Sequence, residues 1–405
     1  MSNRREKTVP LQGIRILDLT RLIPGAFCTA ILADAGAEVI KVEEPNFGDY
    51  ERQIPPFIGP MASRFLILNR NKKSIALNLK EEKGREIFVE MATEADILVE
   101  GFRPGTMKKL GLDYESLRKV NERLIYCSIS SFGQDGPYRD IVAHDINILG
   151  ITGFFDITGM KGGPPVIPGV QIADSIAAMN AALGLLIALI GREKTGRGQF
   201  LDISMLDGVI SWLFDAARYL FAGEKVPGRG EGRLWGGFPN YNLYETKDGK
   251  FIAVGSLETK FKNLLLRKLG RDDLVEEGGG ITSAELKECD RELESFLRQS
   301  FLTRTRDEWM EELRELNICV GPVNTLEEAV SHPQAVFREM ILNINHPFAG
   351  EIKQIGSPLK FSDFSPNVNR LPAPRLGEHT REILESFGYK SKEIDDLIMR
   401  NIVRA

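Results

Sequence analysis

Over its first 130 residues the chain alternates short continuous apolar runs with amphipathic stretches. IRILDL at 14–19 is such a run, and an unbroken apolar run predicts a strand buried on both faces. The turn TRLIPGAF leads into CTAILADAG, a helix that Gly36 would close. EVIKV at 38–42 predicts the next strand, and 48–69 reads as a long Pro-rich surface loop. NRNKKSIALNLK then brackets a short strand, 81–94 has helical periodicity, and ADILVE is a further strand. A Gly-Pro turn and short helix, GFRPGTMKKLGL, a helix over 114–121 and the strand LIYCSIS at 124–130 complete the series. Strand and helix in regular alternation predict a doubly wound, Rossmann-like parallel sheet in an α/β domain.

Beyond residue 130 the pattern changes. A helix from Asp174 to about 192 is apolar nearly all round, which predicts burial in the core or in a subunit contact. KTGRGQ is a loop, FLDIS a strand, and 205–221 a second long apolar helix. The glycine-rich run GEKVPGRGEGRLWGG breaks this pattern as a linker would. YNLYETKDGKFIAVGS then predicts a hairpin on an Asp-Gly turn, and charged amphipathic helices follow over 258–316. ICVGPVNTLEEAVSHPQ is taken as a return to the first domain, ahead of a terminal pair of charged helices. The expected organisation is a large α/β domain over 10–222, a linker over 223–237, a small α+β domain over 238–318, and a return over 319–405.

Composition narrows the function classes. A net charge of −5 argues against a nucleic-acid binder, so any anionic ligand must be held by local cationic clusters. Four cysteines, Cys28, Cys127, Cys289 and Cys319, lie far apart without CxxC or Cys/His spacing. Neither a metal site nor a disulfide framework is expected, and a reducing cytoplasm is the expected location. The charged opening MSNRREKTVP has no apolar run behind it, and the longest apolar run, 181–190, is too short for a bilayer. No GxGxxG fingerprint is present, which argues against a dinucleotide cofactor, and without a GxSxG, HExxH or P-loop the serine-hydrolase, zinc-protease and NTPase classes fall away.

The remaining chemistry gathers in 143–189. His144 and Asp145 precede a loop, KGGPP then IPG, that delivers Asp174 to the start of the long helix. An imidazole and a carboxylate brought together by such a loop can move a proton between them and a ligand. A helix start favours an ionised carboxylate, as a base or nucleophile requires, although a plain helix cap has the same position. Glu258, at a strand-to-helix junction, has the same two readings. Arg70, Lys72, Lys73 and Lys80, then Arg103, Lys108 and Lys109, then Arg139 all read as turns after strands, where α/β sheets hold ligands. Together they suit a polyanion such as a nucleotide 3′-phosphate and diphosphate, unless they are solvated faces.

With those segments the chain resembles the family III CoA transferases, a group that includes α-methylacyl-CoA racemase. The resemblance is carried by LQGIRILDLTRLIPGAFCTAILADAGAEVIKVE, NRNKKSIALNLK, ADILVEGFRPGTMKKLGL, SSFGQDGPYRD, REKTGRGQ and LGEHTREIL. It implies a large domain built from both chain ends and an interlocked homodimer, with a hetero-oligomer also open. It implies no permanently bound cofactor, with coenzyme A arriving as part of an acyl-CoA substrate. CoA contacts are implied at Arg21, Leu22, Ile23, Pro24, Arg70, Lys73, Leu77, Lys80, Gly101, Phe102, Arg103, Lys109, Arg139 and Asp145.

Two chemistries are implied for the centre. AHDINILGITG is similar to the racemase segment with its catalytic histidine, and VGSLETKF to the segment whose glutamate steadies that histidine. The favoured expectation is therefore a 2-methylacyl-CoA racemase or epimerase, with His144 and Asp174 exchanging the α-proton and Glu258 orienting His144. Backbone N–H groups at the Asp174 helix start would hold the enolate. The alternative is a CoA transferase in which Asp174 is the nucleophile and a carboxylic acid accepts CoA. The long loop GDYERQIPPFIGPMASRF is closer to the transferases.

Overall fold

The computed structural model describes residues 9–278, 280 and 288–405, of which 288–290 by backbone alone. The charged opening residues, part of the amphipathic stretch expected over 258–316, and the Cys289 side chain lie outside the described residues. The chain forms two compact units. The first comprises Met1–Leu149, Val170–Ser211 and His332–Ala405; the second comprises Gly150–Gly169 and Trp212–Ser331.

The apolar runs of the first unit become β1 (Arg15–Asp18), β2 (Glu38–Glu43), β3 (Lys72–Leu77), β4 (Ile97–Glu100), β5 (Ile125–Ser130) and β6 (Phe200–Ser204). They pair in parallel in the order β3-β2-β1-β4-β5-β6. That is the Rossmann-type order, and it reverses between β1 and β4. Val403–Arg404 covers the edge of β3 as an antiparallel strand.

Helix α1 (Ile23–Asp34) starts with Pro24 in its first turn, where a missing N–H costs nothing, and ends at Gly36 with a left-handed φ of 106°. Helix α2 (Ser63–Leu68) lies in the stretch expected to be a surface loop. It is folded because Phe65 and Leu66 are apolar and buried, in a cluster with Ile344 and Ile352. Helix α3 (Glu82–Thr93) buries Ile87, Phe88 and Met91, its apolar stripe, in the core formed with Leu17, Ile75 and Leu98.

Helix α4 (Asp145–Ile151) precedes α5 (Ile172–Thr195), which packs on α1. By length and composition alone α5 would span a bilayer, but alanines at 173, 177, 178, 181 and 182 bury one of its faces in the protein. Its other face leaves Met179, Leu183, Ile187 and Ile190 exposed. The second apolar helix predicted after β6 breaks into α6 (Met205–Trp212) and α7 (Phe214–Phe221), where the chain enters the second unit.

In the second unit β7 (Tyr241–Glu245) and β8 (Phe251–Gly255) form the hairpin expected from the Asp-Gly turn, with Gly249 at φ 73°. β9 (Val320–Val323) pairs antiparallel with β8, so this segment belongs to the small sheet and not to the return. The return begins at His332. The glycine-rich run is equally part of this unit: Trp235 Nε1 donates to the Gly228 carbonyl at 3.0 Å, and Arg229 Nε to that of Gly163 at 3.0 Å. Helix α8 (Thr259–Lys268) contributes Leu265 and Leu266 to a core with Tyr244, Phe301 and Trp309. Back in the first unit, β10 (Ile341–His346) and β11 (Gly350–Ile355) pair as a hairpin. Helices α9 (Thr380–Ser386) and α10 (Ser391–Met399) then bury Ile383, Leu384, Ile394 and Leu397 in the sheet core.

Candidate active site

The carboxyl ends of β1 to β4 surround a cavity of about 300 Å³, at the point where the strand order reverses. Arg21, Leu77, Lys80 and Phe102 line it. The Arg21 guanidinium lies over the Tyr50 ring at 5.2 Å and the Phe102 ring at 5.4 Å, and its Nη1 donates to the Tyr50 hydroxyl at 3.2 Å. Leu22, between Arg21 and the helix start at Ile23 and Pro24, has φ 64° and ψ −162°, a conformation that all but glycine avoid. Its N–H donates to Asp49 Oδ1 at 3.1 Å, and Asp49 pairs with Lys41 at 2.8 Å, both side chains fully buried. A buried ion pair thus holds the strained turn that opens α1.

A second cavity, of about 480 Å³, is lined by Gly101, Phe102, Arg103, Arg139, His144 and Asn147, among others. His144 is exposed, and its N–H donates to Asn147 Oδ1 at 3.0 Å, so it opens α4. Ser131 Oγ donates to the Ala143 carbonyl at 3.0 Å and pins the approach.

Asp145 and Asp174 meet at the start of α5. Asp145 Oδ1 accepts the N–H groups of Ala173 at 2.7 Å and of Asp174 at 3.2 Å. Asp174 is half-buried in the first turn of α5. Burial and the Asp145 charge push its carboxyl up to about 7; Arg64 opposes the shift and Glu51 adds to it. Arg64 Nε donates to Glu51 Oε2 at 2.5 Å, and the Glu51 carboxyl is fully buried. The centre is therefore a carboxyl poised near neutrality, with a second acid bracing the helix that carries it.

Several expectations are revised. Arg70 and Lys73 stand at the amino end of β3, not after a strand, because the strand begins at Lys72. Arg70 pairs with Asp34 at 2.7 Å, and Lys73 pairs with Glu38 and Glu382, each at 2.9 Å. Both cations are occupied away from the crevice. Lys72 is wholly buried against Asp18 at 3.1 Å. Lys109 is exposed on the short helix Thr106–Leu110, whose Thr106 and Leu110 line the first cavity in its place. Asp145 engages the α5 start. Of the N–H groups at the α5 start expected to hold an enolate, those of Ala173 and Asp174 donate to Asp145 and that of Ser175 donates to the Gln171 carbonyl at 3.1 Å. Glu258 lies in the second unit, immediately before α8. The pattern alone did not single out Asp49, Arg64 or Glu100. For Glu100 a usable signal was present, a carboxylate ending the apolar strand ILVE just before a Gly-Pro turn.

Among the described residues no group of acids, histidines and cysteines has the arrangement to hold a metal ion, and Cys28, Cys127 and Cys319 are free thiols. A Rossmann-order sheet with cations and an aromatic wall at its strand ends, beside a poised aspartate, has the parts for chemistry on an anionic carrier. The chain belongs to CoA-transferase family III, which matches residues 11–380. It is thus an enzyme of acyl-CoA chemistry. It is 34% identical to the succinyl-CoA:glutarate CoA-transferase of Homo sapiens, the match covering 97% of this chain and 90% of that one. It is likewise 34% identical to the alpha-methylacyl-CoA racemase of Homo sapiens, over 98% and 99% of the two chains. The crystal structure of a CAIB/BAIF family protein from Brucella suis superimposes with a TM-score of 0.81 at 32% identity, covering 93% of this chain and 99% of that one.

Proposed function

We propose that the protein transfers coenzyme A from an acyl-CoA to a carboxylic acid, with Asp174 as the nucleophile. The observation that supports this reading is Asp174 itself, a half-buried carboxyl in the first turn of α5 with no ion-pair partner among the described residues, its carboxyl pushed up to about 7 by burial and the Asp145 charge. The enolate of an α-proton exchange and the tetrahedral oxyanion of acyl transfer both need donors, so the free aspartate supports either chemistry and the relatives favour transfer. Relatives named as CoA-transferases predominate beside the racemase, which supports the same choice.

In the proposed cycle an Asp174 oxygen attacks the thioester carbonyl, the C–S bond breaks, and CoA leaves as a thiolate. The thiolate then attacks the aspartyl carbonyl of the mixed anhydride, expelling the acyl group as a free carboxylate and leaving an aspartyl-CoA thioester. The acceptor carboxylate attacks that thioester, CoA leaves again, and its attack on the acceptor's carbonyl restores Asp174. Covalent catalysis of this kind predicts a trappable enzyme intermediate. Incubation with acyl-CoA and borohydride should modify Asp174, as read by peptide mass spectrometry; an unmodified Asp174 under turnover conditions would sink the proposal. Coenzyme A enters and leaves as part of the substrate, with Arg21, Lys80, Arg103 and Arg139 as its cationic contacts.

Racemisation is the second reading, favoured by His144 next to Asp145 and by the racemase relative. It assigns His144 and Asp174 to the two faces of the α-carbon and Glu258 to steadying His144. Incorporation of α-deuterium into a 2-methylacyl-CoA, in deuterium oxide and without an acceptor acid, separates it from transfer. We further propose that a second copy of the chain covers the exposed Met179, Leu183, Ile187 and Ile190 face of α5, an apolar stripe at helical spacing. Light scattering would then give a dimer mass.

A further inference from the structure

Strand β4 ends in a carboxylate that the transfer chemistry does not use. Glu100 is buried to 4% exposure, and one oxygen, Oε2, accepts the Phe102 N–H at 2.7 Å. Its Oε1 accepts the Ser128 hydroxyl at 2.5 Å. Ser128 Oγ in turn accepts from Gln134 Nε2 at 2.7 Å, and the Gln134 N–H is fixed by Asp202 Oδ2 at 2.8 Å. Gln134 thus donates twice, from its side chain toward Glu100 through Ser128 on β5 and from its backbone to Asp202 on β6.

Phe102 is the residue the two cavities share. It lines both, and it carries the Arg21 guanidinium over its ring. A backbone bond at Phe102 therefore sets the wall between the cavities and the seat of one cation. Among the described residues no cation pairs with Glu100, so its burial is not compensated by an ion pair. A glutamine would offer Phe102 an acceptor with far less desolvation. What the carboxylate adds is a stronger, charge-assisted hold on the Phe102 N–H.

We infer that Glu100 is a positioning residue for the acyl-CoA, fixing the Phe102 turn so that its ring and Arg21 stand ready for the ligand. This inference rests on the assignment of the crevice to CoA. Burial and the Asp202 charge hold the Glu100 carboxyl at about 7, against the Ser128 and Phe102 hydrogen bonds. The titratable groups facing it are Asp202 on β6 and Tyr126 and Cys127 on β5; its charge pushes the last two up further. As the pH falls through neutrality Glu100 takes a proton, Phe102 faces a weaker acceptor, and the wall loosens.

The test is calorimetric titration of free CoA into the full chain at about pH 6 and about pH 8, comparing wild type with Glu100→Gln and Glu100→Ala. Titration of CoA's own phosphate is common to all three proteins and cancels in the comparison. Wild type should bind more tightly at the higher pH by about threefold beyond the change seen in Glu100→Gln, and Glu100→Ala should weaken binding about tenfold at both. In turnover the KM for acyl-CoA should rise in both variants while kcat at saturation stays within about twofold, a split that general destabilisation would not give. Affinity and pH dependence in Glu100→Gln equal to wild type overturn the inference, even if Glu100→Ala fails to fold. Wild type that binds no CoA overturns the crevice assignment itself, and this inference with it.

Discussion

Asp18, which ends β1, and Asp174, in the first turn of α5, are opposite in character. Asp18 is wholly buried and accepts from the Thr20 N–H, the Thr20 and Thr29 hydroxyls and Lys72 Nζ. Burial alone would raise its pKa, but Lys72 and Lys41 outweigh burial and hold it at about 2. Asp174 has no ion-pair partner among the described residues and faces a second acid, so burial and Asp145 push it up to about 7. One carboxylate is saturated with donors and serves the fold. The other is kept short of them, which leaves it free to react and makes its ionisation a cost to the fold.

The largest effect should come from removing the unsaturated acid. Asp174→Asn is expected to lower turnover by about 10⁴-fold or more, measured as steady-state CoA transfer. The same variant should be the more heat-stable protein at alkaline pH. The sign follows from proton uptake: between the ordinary value of 3.8 and about 7, folded Asp174 holds a proton that the unfolded chain has lost. Stability therefore falls as the pH rises through that window, and asparagine is exempt. A Tm gain of roughly 2 °C or more above pH 7, shrinking toward pH 4, is the expected outcome in scanning calorimetry.

Next in size is the saturated acid. Asp18→Asn strands Lys72 and should cost about 3–5 kcal/mol in urea unfolding. Because the folded pKa of Asp18 is depressed, the stability it contributes is present above 3.8 and fades as the pH falls toward about 2. Asp145→Asn tests the contrast more finely. It removes the charge facing Asp174 but keeps an acceptor for the α5 start, so the ascending limb of the pH–rate profile, expected near 7, should move to lower pH. An unmoved limb would separate Asp145 from the poise of Asp174. The smallest effect is expected from His144→Ala, which should lower CoA transfer less than about tenfold; abolition of α-deuterium incorporation by the same change would favour α-proton exchange.

The sheet and its helices were legible in the sequence, because continuous apolar runs such as IRILDL and LIYCSIS leave few alternatives to buried parallel strands. The turns were legible where a residue type demanded them, as at Gly36 and the Asp-Gly hairpin. Strand limits were not: placing Arg70 and Lys73 after a strand instead of before it reverses which end of the sheet they occupy. Asp174 and His144 stood out through spacing and resemblance together. The roles of Asp145 and Glu100 did not, since each depends on which backbone N–H arrives beside it, and that is decided by packing across 28 residues in one case and by a two-residue turn in the other.

The pairing of Val403–Arg404 with β3, and of Ile383 and Ile394 with the core under the sheet, bears on how the protein is made. On the ribosome the six parallel strands emerge long before the helices that cover one of their faces. The second unit, by contrast, has nearly all its parts by Ser331. The sheet must wait, with apolar surface and an open edge, while roughly two hundred further residues are synthesised, some tens of seconds at about 5–20 residues per second. That interval is when chaperones have most to do for this chain, and truncations within α9 or α10 should show themselves first as loss of soluble yield.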